Sequence, residues 1–213
     1  MTRTAPAWHE TPFWDRVADR YARSKIGDLD AYEEKLRLTQ ALLPADAQVL
    51  ELGCGTGMTA VRHAPHAAHV HATDMSEKML DHGRRRAAEA GVDNVTFERA
   101  TVETLQAPAG AYDAVLAMSL MHLVEDQPAA LRRIRDWLRP GGAFVSSTVC
   151  LADGLGFLRP VLPVLRWLGR APHVHFLRRE AWIRTLREAG FEVERDWRPG
   201  RRAAVFVVAR KPA

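Results

Sequence analysis

Cysteine is scarce. The 213 residues hold two, Cys54 and Cys150, one inside a glycine turn and one at the end of an apparent strand, so a disulfide framework is excluded and a reducing cytoplasm fits. Long apolar runs are missing as well. No stretch reaches the roughly 18 apolar residues of a membrane span, and the opening MTRTAPAWHETPFWDRV has no apolar core of secretory length. Nor does one sign of charge dominate: 30 Lys and Arg stand against 26 Asp and Glu, for a net charge of +4. The arginine clusters, among them Arg84 to Arg86, Arg132 with Arg133, and Arg178 with Arg179, are scattered among acids. Such clusters read as solvated helix faces rather than a nucleic-acid or membrane surface. Repeats and low-complexity tracts are absent. What remains, 47% hydrophobic and 26% charged residues, is the composition of a globular chain, long enough for one domain whose sheet is covered on both faces.

The pattern along the chain defines four regions. Residues 8–43 read as two helices around SKIGDLD, and Pro44 closes them, which makes 1–44 a helical lid ahead of the first strand. Over 45–150 strands and helices alternate: QVLEL, a glycine turn, a helix from Met58 to about His66, HVHATD, a helix capped by Ser76 and stopped by Gly91, VTFERA, YDAVLAMSL, the helix QPAALRRIRDWL ended by RPGG, and AFVSSTV. That alternation specifies an α/β fold with a parallel sheet. Residues 151–178 change character. They are apolar and aromatic but interrupted by Pro160, Pro163 and Pro172, so a single straight helix is excluded and a cap over the sheet is expected. Residues 179–213 supply a helix and two strands, FEVERDW and AAVFVVARK, joined by the short RPGRR turn and therefore antiparallel.

The glycine turn VLELGCGTGMTA discriminates between ligands. A dinucleotide turn needs G-x-G-x-x-G, whereas here the third glycine comes one position early, at Gly57, and Met58 stands where glycine is wanted. A triphosphate loop fails more plainly, because no Gly-Lys-Ser/Thr follows. Glu51, two residues before the turn, would repel a pyrophosphate and suit a cationic amino group. Asp74, at the end of the next strand, is placed to accept both hydroxyls of a ribose.

Taken as a set, VLELGCGTG, HATDMS, YDAVLAMSLMHLVED and LRPGGAFVSST resemble the successive motifs of the class I S-adenosylmethionine-dependent methyltransferases, and the strand order through the C-terminus is similar to that family. The resemblance implies a Rossmann-like three-layer sandwich with a seven-stranded, mostly parallel sheet ending in an antiparallel strand pair. It further implies that Gly53, Cys54 and Gly55 lie against the methionyl part of S-adenosylmethionine with Glu51 at its amino group. Asp74 would take the ribose hydroxyls, Met75 would pack on the adenine, and Met118 would lie near the sulfonium, although both methionines also suit an ordinary core. Where the family often has an acid for the adenine amino group, this chain offers Thr101 and Val102. Tyr21 resembles a tyrosine that closes over the cofactor carboxylate in some relatives, and an amphipathic helix accounts for it equally well.

The methyl on a positive sulfur is its own electrophile, so alignment and exclusion of water carry much of the catalysis and a base is optional. His122, just past the fourth strand, is the first candidate for a base or for orienting the acceptor; His9 and Tyr32 are weaker ones. The pairs His69 with His71 and His173 with His175 lack the acid or cysteine that would complete a metal site, so no metal is expected. Asn/Asp-Pro-Pro-aromatic and Pro-Cys motifs of nucleic-acid methyltransferases are absent. A small-molecule acceptor follows, with RNA or protein methylation and non-catalytic cofactor binding as alternatives. The cap side chains Phe157, Leu158, Val161, Leu162, Val164, Leu165, Trp167 and Phe176 suit a lipophilic acceptor or simple packing on the sheet, and Arg159, Arg166 and Arg170 suggest an anionic group or a peripheral membrane contact; the chain is similar to the ubiquinone and menaquinone methyltransferase-like group in its cofactor motifs, which do not carry the acceptor. Either a monomer or a homodimer is compatible with the sequence.

Overall fold

A computed structural model describes residues 10–200 and 204–213. One seven-stranded sheet organises the chain: β1 (Gln48–Leu52), β2 (His69–Asp74), β3 (Val95–Arg99), β4 (Tyr112–Met118), β5 (Leu138–Thr148), β6 (Glu192–Trp197) and β7 (Val205–Arg210), in the order β3-β2-β1-β4-β5-β7-β6. The first five strands pair in parallel, and β7 runs antiparallel to both β5 and β6. The α/β class and the antiparallel C-terminal pair agree with the sequence reading; part of the RPGRR turn lies outside the described residues.

Each strand places alternate side chains on opposite faces. Leu50, Val115 and Phe144 join Leu131, Ile134 and Trp182 of α5 (Gln127–Trp137) and α7 (Arg179–Glu188) in one core layer. Val49, Val70, Leu116, Val145 and Phe206 face the other way, toward α3 (Met58–His63) and α4 (Glu77–Glu89). Side chains of this size, removed from water on both faces, each contribute about 1.5–3 kcal/mol. No helix among the described residues is long and apolar enough to cross a membrane.

The helix ends follow their local chemistry. Ser76 caps α4 by accepting the Met79 N–H at 3.2 Å, and Asp126 caps α5 by accepting the Ala129 N–H at 2.9 Å. The expected helix from Met58 is α-helical only to His63 and tightens to a 3-10 turn over Ala64–His66, where Pro65 lies. β5 starts earlier than the RPGG stop signal implies. Tyr112 pairs with Leu138 and Ala114 with Ala143, so residues 139–142 bulge out of the ladder, held by the Gly141 N–H donating to the Lys211 carbonyl at 2.9 Å.

The N-terminal helices α1 (Thr11–Arg23) and α2 (Leu29–Gln40) stand at the carboxyl end of the sheet. Ser76 Oγ donates to Asp15 at 2.5 Å and His82 Nε2 to Asp19 at 2.8 Å, which ties α1 to α4. On α2, Lys35 Nζ reaches across to the end of β5 and donates to Ser147 Oγ at 3.0 Å. The cap consists of two 3-10 turns, Leu151–Asp153 and Gly156–Leu158, and the short helix α6 (Leu162–Trp167).

Candidate active site

The strand order reverses direction at β1, whose neighbours are β2 and β4, and a crevice opens beyond the carboxyl ends of these strands. Two adjoining cavities of about 400 and 440 Å³ fill it, sharing a wall made by Tyr21, Gly53, Gly55, Met118 and Ser119. The first also touches Glu51, Cys54, Met58, Tyr32 and Lys35; the second touches Asp74, Met75, Thr101, Val102, Glu103 and Leu120.

The cradle between β1 and α3 needs its glycines for two different reasons. Gly53 (φ 63°) and Gly55 (φ 54°) have left-handed backbones and bare the turn toward the cavities, with the Tyr21 ring 3.7 Å from where a Cβ of Gly55 would stand. Gly57 (φ 70°) serves packing instead. A Cβ there would come within 2.8 Å of Gly83 Cα on α4 and 2.9 Å of the Phe97 ring. The early third glycine is therefore where two helices cross closely, and Met58, freed from that role, lines the first cavity.

Two carboxylates define the polarity of the site. Glu51 is 1% exposed and its Oε2 has no hydrogen-bond partner. Burial, and then the nearby charge of Asp74, pushes its carboxyl up to about 8. Asp74 accepts from the Gly55 N–H through Oδ2 and from the Ser76 N–H through Oδ1, both at 2.9 Å. These bonds fix its rotamer and the turn together; even so, burial outweighs them and raises its carboxyl above the usual range. The one half-buried cation on the first cavity is Lys35, whose ammonium burial pushes below its usual value.

All ten residues expected at the cofactor line one or both cavities: Tyr21, Glu51, Gly53, Cys54, Gly55, Asp74, Met75, Thr101, Val102 and Met118. Met75 and Met118 are only partly buried there and are not enclosed core residues. Burial holds the Cys54 thiol protonated, far from thiolate chemistry. Thr101 is occupied locally, its N–H donating to Thr104 Oγ1 at 2.9 Å, while Glu103, two positions on, presents an exposed carboxylate to the second cavity. His122 lines neither cavity. It is 9% exposed, its carbonyl accepts the His175 N–H at 2.8 Å, its Nδ1 has no partner, and burial followed by repulsion from His175 brings its imidazolium down to about 4. Tyr32 lines the first cavity, and His9 lies outside the described residues.

Three site features carry no signal in the sequence reading. Lys35 sits among charges on an amphipathic helix and looks solvated. Glu103 is displaced by two positions from the usual acidic place. Ser119 adopts φ 60°, the one positive φ of a non-glycine among the described residues, and its N–H donates to the Ser147 carbonyl at 2.8 Å, a strained link between the ends of β4 and β5.

The histidine pairs resolve differently. His69 Nε2 bonds Thr96 Oγ1 at 2.7 Å, and His71 bridges Tyr112 OH and Glu98 at 2.8 Å each, so both are tied to neighbouring side chains. His173 and His175 stack edge to face at 4.6 Å. No group of three or more His, Cys, Asp or Glu among the described residues could hold a metal ion. The cap also departs from expectation. It lends Pro172 and His173 to the second cavity, whereas Phe157, Val161, Val164 and Trp167 face water.

Comparison with known proteins places this geometry. Residues 49–142 match the family model described as a methyltransferase domain. The chain is 31% identical over 156 residues to the ubiquinone biosynthesis O-methyltransferase of Acinetobacter baumannii; the match takes in 70% of this chain and 65% of that protein, just under two thirds of the relative's length. The solved structure of an S-adenosylmethionine-dependent methyltransferase from Mesorhizobium loti superposes with a TM-score of 0.68 at 25% identity, covering 83% of this chain and 96% of that one. Geranyl diphosphate C-methyltransferase from Streptomyces coelicolor, solved with S-adenosyl-L-homocysteine, shares the fold at a TM-score of 0.75 and 15% identity, covering 99% of this chain and all of the other. Over residues 49–142 the chain is therefore similar to a methyltransferase domain, and solved S-adenosylmethionine-dependent methyltransferases share its fold.

Proposed function

We propose that the protein transfers the methyl group of S-adenosylmethionine to a small-molecule acceptor by in-line displacement. The observation that carries this reading is the buried Glu51 with its unpartnered Oε2 beneath a glycine cradle. An orphaned buried carboxylate oxygen is costly unless a donor reaches it, and an α-ammonium is such a donor. Lys35, on the same cavity, complements the carboxylate of the same amino acid moiety. The first cavity is thus a seat for a zwitterion. In the second, Asp74 would hold the ribose hydroxyls, Met75 and Val102 would pack on the base, and Glu103 would accept from its amino group where the family position, Thr101, offers no carboxylate.

When bound, the cofactor supplies an electrophilic methyl. The chain would align it and shield it from water: Tyr21, on α1, lies over Gly55, and Met118 and Ser119 belong to the wall that both cavities share. His122 is neutral throughout the physiological range. An imidazole brought down to about 4 is a weak proton acceptor, and its ring lines neither cavity, so the transfer rests on alignment rather than on His122 as a base.

Calorimetric titration with S-adenosylmethionine tests the first step. Binding in the micromolar range is expected, weakened about a hundredfold in Asp74→Ala, which also strips two backbone N–H groups of their acceptor. No binding by the wild type sinks the reading. Incubation with labelled cofactor and fractionated cell extract then identifies the product, and label in RNA, DNA or protein overturns the small-molecule assignment.

A further inference from the structure

Seven large apolar side chains stand exposed among the described residues, and five of them, Phe157, Val161, Val164, Trp167 and Leu168, fall within twelve consecutive positions of the cap. Trp167 is 84% exposed and Phe157 67%. Val161, Val164, Trp167 and Leu168 recur at three- and four-residue spacing along α6, so they form one stripe, while Leu158, Leu162 and Leu165 form the half-buried stripe on the other side. A helix apolar on both sides normally lies in a core. Here α6 has no buried side chain at all. Scattered exposed apolar residues need no explanation, but a contiguous patch does.

Charge selects the occupant. From Gly154 to Pro172 the chain carries Arg159, Arg166 and Arg170, all exposed, and no acid. Arg166 has a neighbouring acid, Glu10 at 3.4 Å. A second copy docking through the same face would set three arginines against their own symmetry mates, with no acid of the segment 154–172 to offset them. An anionic lipid surface meets both needs: tryptophan and phenylalanine insert at the headgroup boundary while arginines engage the phosphates. The patch is also fixed to the rest of the molecule, since Arg16 Nη1 donates to the Gly169 carbonyl at 3.0 Å and Glu10 accepts the His173 N–H at 3.3 Å.

We propose that the outer face of the cap, from Phe157 to Arg170, is a docking surface for an anionic lipid bilayer. The inference goes beyond methyl transfer and does not rest on it, because a chain unable to bind the cofactor would still bind vesicles. The test is cosedimentation of the full chain with vesicles of mixed phosphatidylglycerol and phosphatidylcholine, against phosphatidylcholine alone. Binding is expected to the first and to fall with added salt. Each basic side chain near such a surface adds roughly fivefold, so Arg159→Glu with Arg170→Glu lowers partitioning at least tenfold, as does Trp167→Ser by losing its inserted ring. Circular dichroism melts and S-adenosylmethionine affinity serve as controls and stay at wild-type values. Equal binding to both vesicles, no binding by the wild type, or variants that bind like the wild type overturn the proposal. A concentration-dependent dimer that Trp167→Ser dissolves assigns the face to a second copy and also overturns it.

Discussion

Two stretches of similar length flank the crevice and are built on opposite plans. From Val49 to Met75 most side chains are buried or pinned: strands on both sides of the turn are paired, three glycines hold left-handed backbones, and Asp74 ties the turn to the start of α4. From Leu151 to Arg178 no residue is buried, and helical structure is limited to two 3-10 turns and six residues of α6. A turn that bares its backbone to a cavity has to be held from both sides, whereas a segment whose side chains mostly face water carries few internal constraints.

The widest separation between the two regions is expected in stability. Gly57→Ala adds a Cβ 2.8 Å from the Gly83 backbone in a left-handed conformation, where neither neighbour is a flexible side-chain end. The backbone penalty and the overpacking together cost about 2–5 kcal/mol, and urea denaturation should show the midpoint falling accordingly. A wild-type midpoint would mean that α3 and α4 are free to part, and that the rigidity ascribed to the cradle is not there.

That contrast also decides what could be read from the sequence alone. The strands, the Ser76 cap and the acids Glu51 and Asp74 were legible because each is announced locally, by a β-rich run, a capping residue or a carboxylate beside glycines. Lys35 was not, because its partner Ser147 lies 112 positions away and only the packing of α2 on β5 brings them together. The bulge within β5 was hidden by Pro140 and the glycines, which signal a stop although the ladder resumes beyond them. Ser119 has no composition cue for a positive φ. His122 was placed by its distance from a strand end, and that distance does not say whether its side chain reaches a cavity; it lines neither.

Within the cradle, the zwitterion seat can be separated from the nucleoside seat. Lys35→Met and Glu51→Gln should each weaken S-adenosylhomocysteine by about ten- to a hundredfold, since a buried charged partner is lost. Neither should change the affinity for 5′-methylthioadenosine, which lacks the amino acid end, by more than about twofold. Parallel losses for both ligands, measured by calorimetry, would show that the two cavities do not divide the cofactor as argued.

A subtler effect concerns pH. Because burial raises the Glu51 carboxyl to about 8 in the folded chain, the empty protein holds that proton more tightly than the unfolded chain does. Its contribution to stability is full in acid and declines as pH rises from the usual carboxylate range through about 8. Glu51→Gln should flatten this slope in melts between pH 5 and pH 8. Bringing the cofactor's ammonium to Oε2 favours the ionised carboxylate, so binding near pH 7 should release a proton, seen as a binding heat that varies with the buffer's ionisation enthalpy. A heat independent of buffer would place the ammonium elsewhere.

The smallest effect is expected at Trp167, and its smallness is informative. A tryptophan in a core costs about 3–5 kcal/mol when truncated, yet at 84% exposure this one has little packing to lose. Trp167→Ser should therefore shift stability in plain buffer by no more than about 0.5 kcal/mol. If the cap instead folds back over the cavities in solution, the same change exposes their lining and the loss rises toward the core value. A midpoint that moves only when S-adenosylmethionine is present would tie the cap's position to the occupied cradle, so that the two regions close on the ligand together rather than standing apart.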